Sequence, residues 1–370
     1  MSQAQAKPIR ILHVVTNMSY GGLENLLMNY YRNIDRTKIQ FDFITHFQGH
    51  QDFEEEIQEL GGRLFRLPRL NPFDPRYLAK LNRFFADHPE FKIVHSHLDC
   101  MAGLPLKYAQ RNGVPVRIAH SHNSNQGHNL KYIVKLLYRE IIPVYATNLF
   151  ACGRDAGDWM FKGKKYTIMT NAIRTQEFAW ENARRNLIRA KFDLTGKFVV
   201  GHVGQFREQK NHLYLLEIFT ATLSKNPNAR LVLVGKGPEM ERCIEKADEL
   251  GIREQVLFLG ARADIPDLML AMDVFVLPSL YEGFPVTMVE AQASGLPCII
   301  SDSVPLECKI TNDVTPLSLR ESPQVWAEEI LKYDNFVRRN NCDVIVAAGY
   351  DINTNIRWLE EFYQNAIKRS

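Results

Sequence analysis

The stretch Val274–Asp302, VFVLPSLYEGFPVTMVEAQASGLPCIISD, packs a strand, a charged turn, a helix and a second strand into twenty-nine residues. Val274 to Leu277 is an apolar run of strand length, and Pro278, Ser279, Gly283 and Pro285 break any periodicity after it. A helical pattern resumes at Val286 and stops at Gly295, where glycine can take the left-handed conformation that closes a helix; Pro297 then leads into a second apolar run. Glu282 is therefore expected on a loop and Glu290 inside a helix. The backbone N–H groups around Phe284 to Thr287, Pro285 itself carrying none, have no partners within the helix, and Gly283 leads the chain into them. Together with the helix dipole they favour a phosphate or sugar oxygen.

Two glutamates eight positions apart also raise the possibility of a glycosidase acid and base. At a rise of about 1.5 Å per residue a helix would hold them roughly 12 Å apart, outside the roughly 5 to 9.5 Å that glycoside hydrolysis needs. In isolation, a helix cap and a solvated face would be the plainer reading of the pair. The residues around it change that: PS..EG.P...VEA...G.P resembles the E-x7-E signature of the retaining family-4 glycosyltransferases of the GT-B fold. That resemblance implies a nucleotide-sugar site, with Glu282 at the donor sugar's hydroxyls and Glu290 at the ribose hydroxyls.

A chain of 370 residues exceeds the length at which one core usually keeps growing, so two domains are expected. Its six cysteines are scattered without a C-x-x-C pair and read as reduced thiols. No signal-peptide pattern and no run of about 18 apolar residues occurs, so the expectation is a cytoplasmic protein, at most peripheral on the inner face of the plasma membrane. Charge is uneven: residues 1–171 carry 22 Lys and Arg against 15 Asp and Glu, and the remainder 23 against 27. A basic first half suggests an anionic partner such as a membrane surface or a lipid pyrophosphate, against ordinary scatter of surface charge. Nothing points to nucleic acid.

Strand-like and helix-like segments alternate from Ile9 to about Thr170 and again from about Arg174, so each half reads as a parallel sheet covered by helices. The break falls in NAIRTQEFAWE, giving an acceptor-binding domain over residues 1–173 and a nucleotide-sugar-binding domain over 174–354. The resemblance implies two Rossmann-like domains facing across a deep cleft, with the final helix, residues 355–370, packing back on the first. Ligands of open parallel sheets bind outside the carboxyl ends of the strands, so motifs there carry the most weight.

Gly21 and Gly22 follow the first strand, with Glu24 in the helix they open. They form no G-x-G-x-x-G fingerprint, but GGLE resembles the family's GG-x-E loop, which approaches the donor diphosphate. His95 and His97 end a strand, and alternation puts them on the same side. A metal there would need a third ligand, for which Asp99 is near, but no D-x-D motif exists and neither a metal nor any other cofactor is expected. The resemblance implies that His97 lies near the donor sugar, and that His120, His122 and Asn123 resemble the acceptor-side loop more loosely.

In GHVGQFREQKNH, Arg207 and Lys210 follow a strand and read as two cations neutralising a diphosphate leaving group, against a solvated basic turn. The family's arginine follows the glycine directly, where this chain has Gln205, two residues before Arg207. A second departure is MTNAIRTQEF, where Thr170 and Arg174 replace a proline and an aspartate while Asn171 is kept. Arg262 and Asp264 resemble the segment framing the nucleobase, which backbone contacts hold and which therefore separates uracil from guanine poorly.

The resemblance implies a retaining glycosyltransferase moving a hexose-type sugar from a UDP-sugar to a glycan or lipid-linked acceptor in exopolysaccharide or capsule biosynthesis. Positioning and charge, not an enzyme nucleophile, would carry the reaction. Two alternatives stay open: a GT-B nucleotide-sugar 2-epimerase and a catalytically silent nucleotide-sugar-binding subunit.

Overall fold

The computed structural model describes residues 7–122 and 132–369. The chain forms two compact units, residues 1–172 with 352–370, and residues 173–351. The division falls one residue before the boundary read from sequence, and the returning segment begins at Ile352 instead of Asn355.

Among the described residues the first unit holds a seven-stranded parallel sheet of β1 (Ile9–Val14), β2 (Ile39–Thr45), β3 (Leu64–Arg66), β4 (Ile93–Ser96), β5 (Val116–Ser121), β6 (Asn148–Ala151) and β7 (Thr167–Ile168). Their order is β3-β2-β1-β4-β5-β6-β7. Central strands covered on both faces must be apolar throughout. All seven residues of β2 are buried accordingly, including Asp42, whose carboxylate accepts from Arg10 Nε at 2.5 Å and Arg63 Nη2 at 2.9 Å. The edge strands β3 and β7 are short and largely uncovered. They carry too few apolar residues to stand out in the sequence, and neither they nor β6 were anticipated.

The second unit repeats the plan with six strands: β8 (Phe198–Val203), β9 (Ala229–Val234), β10 (Val256–Phe258), β11 (Val274–Leu277), β12 (Cys298–Ser301) and β13 (Val314–Leu317), in the order β10-β9-β8-β11-β12-β13. The helix between β11 and β12 runs Val286–Ala293, and Gly295 just beyond it has φ +71°, as the sequence pattern requires. All six cysteines are free and buried.

The last helix, Ile352–Lys368, belongs to the first unit's core. It buries Ile352, Ile356, Leu359 and Tyr363, a 4-3-4 spacing that keeps one stripe inward. Leu359 and Tyr363 are fully covered. Leu359→Ala should therefore cost about 2 to 5 kcal/mol through lost burial and the cavity left behind. Denaturant unfolding of the full chain checks this; a loss below about 1 kcal/mol would mean that the helix is not part of that core.

Candidate functional site

In both sheets the chain runs outward in one direction from the first strand and then restarts on its other side. The switch lies between β1 and β4 in the first unit and between β8 and β11 in the second. Such a switch opens a crevice at the carboxyl ends of the two strands.

In the second unit the loop after β8 and the loop after β11 are tied together across this crevice. Leu280 N–H donates to the Gln209 carbonyl at 2.8 Å, Gln209 Nε2 to the Tyr281 carbonyl at 2.9 Å, and Asn211 Nδ2 to the Pro278 carbonyl at 3.1 Å. At their centre Lys210 Nζ lies 2.6 Å from Glu282 Oε1, which also accepts from Ser279 Oγ at 2.6 Å. The two side chains are only 16% and 7% exposed, so their attraction is weakly screened. The sequence reading gave Lys210 and Glu282 separate tasks; the structure brings them into contact. Ser279 and Gln209, which fix the carboxylate, were not singled out.

The loop after β9 closes against the same place. Gly235 has φ +145°, and a Cβ there would stand 1.9 Å from the Gly204 carbonyl oxygen, so no side chain fits. A Cβ on Gly237 would likewise stand 2.3 Å from the Phe206 carbonyl oxygen. Phe206 itself is fully buried, while Gln205 is half-buried and Arg207 exposed. Among the described residues no ion pair engages Arg207. Arg262, by contrast, spends its fork on Asp264, with contacts of 2.8 and 2.6 Å.

The helix Val286–Ala293 begins beside this crossing. Pro285 is its cap residue and offers no side-chain bond, no acidic residue occupies the first turn, and Thr287 Oγ1 is buried without a hydrogen-bond partner. Phe284 stacks on Tyr350 with centroids 5.4 Å apart. Glu290 lies within the helix, partly covered, and burial pushes its carboxyl up to about 7. The approach to this group is thus a helix start with unspent donors and a carboxyl poised to ionise near neutrality.

In the first unit Gly21 caps the helix Gly22–Asn33. A Cβ on Gly21 would meet Glu24 Oε2 at 2.2 Å, whereas one on Gly22 would meet nothing within 4 Å. A side chain at the first glycine would have to displace the Glu24 carboxylate, whereas the second leaves open space.

Across the switch stands a stack of histidines from β1, β4 and β5. His95 and His97 lie on one side of β4, as alternation requires, with ring centroids 4.3 Å apart. His97 Nε2 is 3.0 Å from His13 Nδ1, and its Nδ1 is 2.9 Å from His122 Nε2. His95 Nδ1 is 2.9 Å from the Tyr363 hydroxyl, and its Nε2 is 3.2 Å from His120 Nδ1. Burial lowers His13 and His122 to about 3 and holds His95, His97 and His120 well below the ordinary imidazole range. All five rings are therefore neutral at pH 7.

Both ring nitrogens of His97 are occupied, so a substrate hydroxyl reaches it only by exchanging with a neighbouring ring. His122, half-buried, is the ring of this stack nearest solvent. Asp99 belongs to neither group of clustered ligands; histidines take the place foreseen for it. His13 went unnoticed, and Asn123 lies outside the described residues. Near the end of the first unit, Thr170 Oγ1 accepts from Asn355 Nδ2 at 2.6 Å, Asn171 Oδ1 is buried without a partner, and Arg174 pairs with Glu177 at 2.9 Å.

Comparison with known proteins bears on both units. Residues 20–176 match the family model Glycosyltransferase Family 4, and residues 184–333 match Glycosyl transferases group 1. Over 374 residues, 97% of each chain, the sequence is 38% identical to a Bacillus subtilis protein described as "Putative glycosyltransferase EpsF". It is 30% identical over 236 residues to the UDP-Gal:alpha-D-GlcNAc-diphosphoundecaprenol alpha-1,3-galactosyltransferase of Escherichia coli, covering 60% of this chain and 61% of that one. Among solved structures, Anabaena Alr3699/HepE in complex with UDP superposes with a TM-score of 0.78 at 17% identity, covering 96% of this chain and all of that one. The two doubly wound sheets, the two family matches and the full-length relative agree, and the chain belongs to the GT-B glycosyltransferases.

Proposed function

We propose that this chain moves a hexose from a UDP-sugar to a glycan or lipid-linked acceptor in exopolysaccharide or capsule assembly, with retention at the anomeric carbon. The observation that carries this reading is the desolvated Lys210–Glu282 pair at the second unit's switch point, beside an uncapped helix start and the unengaged Arg207. The names of two relatives support the donor and acceptor classes: the Escherichia coli enzyme takes UDP-Gal and a diphosphoundecaprenol-linked sugar, and a Staphylococcus aureus relative is a capsular polysaccharide glycosyltransferase.

In this mechanism Glu282, held by Lys210 and Ser279, accepts from hydroxyls of the transferred sugar, and Glu290 accepts from the ribose. The helix start, with the backbone of Gly283 to Thr287, and Arg207 take the diphosphate. Charge that builds on the leaving phosphate meets cation and dipole already in position, which is where preorganised donors contribute most. The leaving phosphate accepts the proton of the attacking acceptor hydroxyl on the same face. The ends of β4 and β5, with His97, His120 and His122, shape the acceptor side of the first unit. The reaction requires no metal.

Turnover is the direct test. The protein with a UDP-hexose and an undecaprenyl-diphosphate-linked sugar should release UDP and extend the acceptor, undiminished by excess chelator. Arg207→Ala should lose about 2 to 4 kcal/mol of transition-state stabilisation, the scale of one preorganised charge donor. Epimerised sugar without acceptor, UDP-sugar binding without turnover, or rescue by magnesium after chelation would each overturn the reading.

Glu290 adds a pH signature. Its folded-state value is raised from 4.5 to about 7, so folding favours the protonated form and the unliganded protein loses stability as pH rises from about 4.5 through about 7. Glu290→Gln should accordingly raise Tm at pH 8 and leave it nearly unchanged at pH 4.5. A ribose diol is held by the ionised carboxyl, so wild-type affinity for UDP should strengthen from pH 6 to 8 more than that of the variant. Parallel pH profiles by calorimetry would remove Glu290 from the ribose.

Peripheral membrane contact completes the proposal. Among the described residues no helix is long and apolar enough to cross a membrane. Ile133 and Leu137, one turn apart on the helix Tyr132–Glu140, are 69% and 65% exposed, and Phe73 and Val144 are also uncovered. With the positive charge of the first half, they suit an anionic bilayer surface. Co-sedimentation with phosphatidylglycerol vesicles should fall at least tenfold in Ile133→Asp/Leu137→Asp; unchanged binding would exclude this face.

A further inference from the structure

The histidine stack has more chemistry than sugar binding uses. Two overlapping triads, His13-His95-His97 and His97-His120-His122, each bring one ring nitrogen from every member within 4.8 Å of the others. Three imidazoles converging from two adjacent strands is a donor set suited to zinc and its neighbours in the first transition row. The first triad is fully buried. In the second, His122 is half-buried and opens it to solvent.

The bonds around the second triad define which nitrogens are free to ligate. His120 Nδ1 is committed to His95, whose other nitrogen meets the Tyr363 hydroxyl. That leaves His120 Nε2, buried and without a partner. His97 Nε2 is committed to His13, leaving Nδ1, which already lies 2.9 Å from His122 Nε2. Each inner ring is thus held through its second nitrogen by an outer histidine, the arrangement that fixes tautomer and aim in metal sites. Neutral rings supply the lone pairs.

We infer that His97, His120 and His122 form a three-histidine site for a transition-metal ion such as Zn2+, with His13 and His95 orienting two of the ligands. Ligand nitrogens about 2.0–2.1 Å from a tetrahedral zinc stand roughly 3.3 Å apart. The His97–His122 spacing is close to that edge, and a modest turn of the rings closes the triad. The metal clips the end of β4 to the end of β5 and leaves the fourth position to water. The ion adds stability to a fold that forms without it, so chelation leaves turnover intact, and the charge clamp of the second unit remains metal-free.

Cobalt substitutes for zinc and reports its own geometry. Titrating the full chain with Co2+ should give visible d–d bands that saturate at one equivalent and disappear on adding Zn2+, and Zn2+ should raise Tm. His122→Asn and His120→Asn should weaken metal binding more than about 100-fold, and His13→Phe, which removes an outer partner, about 10- to 100-fold. Far-ultraviolet circular dichroism and a cooperative thermal transition of each variant check that the chain is folded. If His120→Asn does not fold, His122→Asn, at a half-exposed position, carries the test alone. Absence of saturable binding in the wild type, or bands of equal affinity in His122→Asn, would overturn the site.

Discussion

The ion pair between Lys210 and Glu282 is the contact on which the second unit's crevice depends. Parallel strands buried on both faces leave polar chemistry one place to go, the loops at their carboxyl ends, and those loops have few apolar side chains to hold them. Here a desolvated cation and carboxylate, flanked by Ser279 and Gln209, fasten the loop after β8 to the loop after β11. Taking either partner away would strand the other charge in a low-dielectric setting, which generally costs several kcal/mol. The pair therefore sets the geometry of the crevice before any ligand arrives, and the contact between Gly235 and Gly204 brings the loop after β9 to the same point.

Desolvation works in opposite directions in the two units. In the first it strips charge from five imidazoles, and they respond by bonding to one another and to Tyr363. In the second it raises the Glu290 carboxyl to about 7, leaving a group that ionises in the range where a sugar diol would be bound. Burial thus supplies neutral donors and acceptors in one unit and a poised acid in the other, without a change of fold.

How much of this was legible in the sequence follows from the range of each interaction. Glycine and proline punctuate the segment from β11 through its helix to β12 so closely that local rules suffice, and Gly295 takes the positive φ they demand. The same rules fail at β3, β7 and β13, which are short edge or near-edge strands with little buried apolar surface to mark them. Alternation correctly aligned His95 with His97, but nothing in either strand announces that register sets His13 opposite His95. Nor could spacing reveal that Lys210 and Glu282, 72 residues apart, share a bond. The start of the last helix was missed by three residues because its core stripe begins with Ile352, ahead of the amphipathic run that the sequence makes obvious.

The glutamine at 205, where related enzymes carry arginine, acquires a physical account from these same contacts. Phe206 is driven into the core beneath the sheet's end, so its neighbours on either side, Gln205 and Arg207, both reach toward solvent. The backbone turns between them, with the Arg207 N–H donating to the Gln205 carbonyl at 2.8 Å, so strand alternation does not set which way each side chain faces. Lys210 cannot make up the charge while it neutralises Glu282, since one ammonium cannot fully compensate both a buried carboxylate and a diphosphate. Of the cations in the loop after β8, Arg207 alone has its charge uncommitted among the described residues. On the proposed reading, moving the guanidinium from 205 to 207 conserves the net charge of the loop and carries the cation past the turn at Phe206, so what changes is the direction from which it would meet a diphosphate.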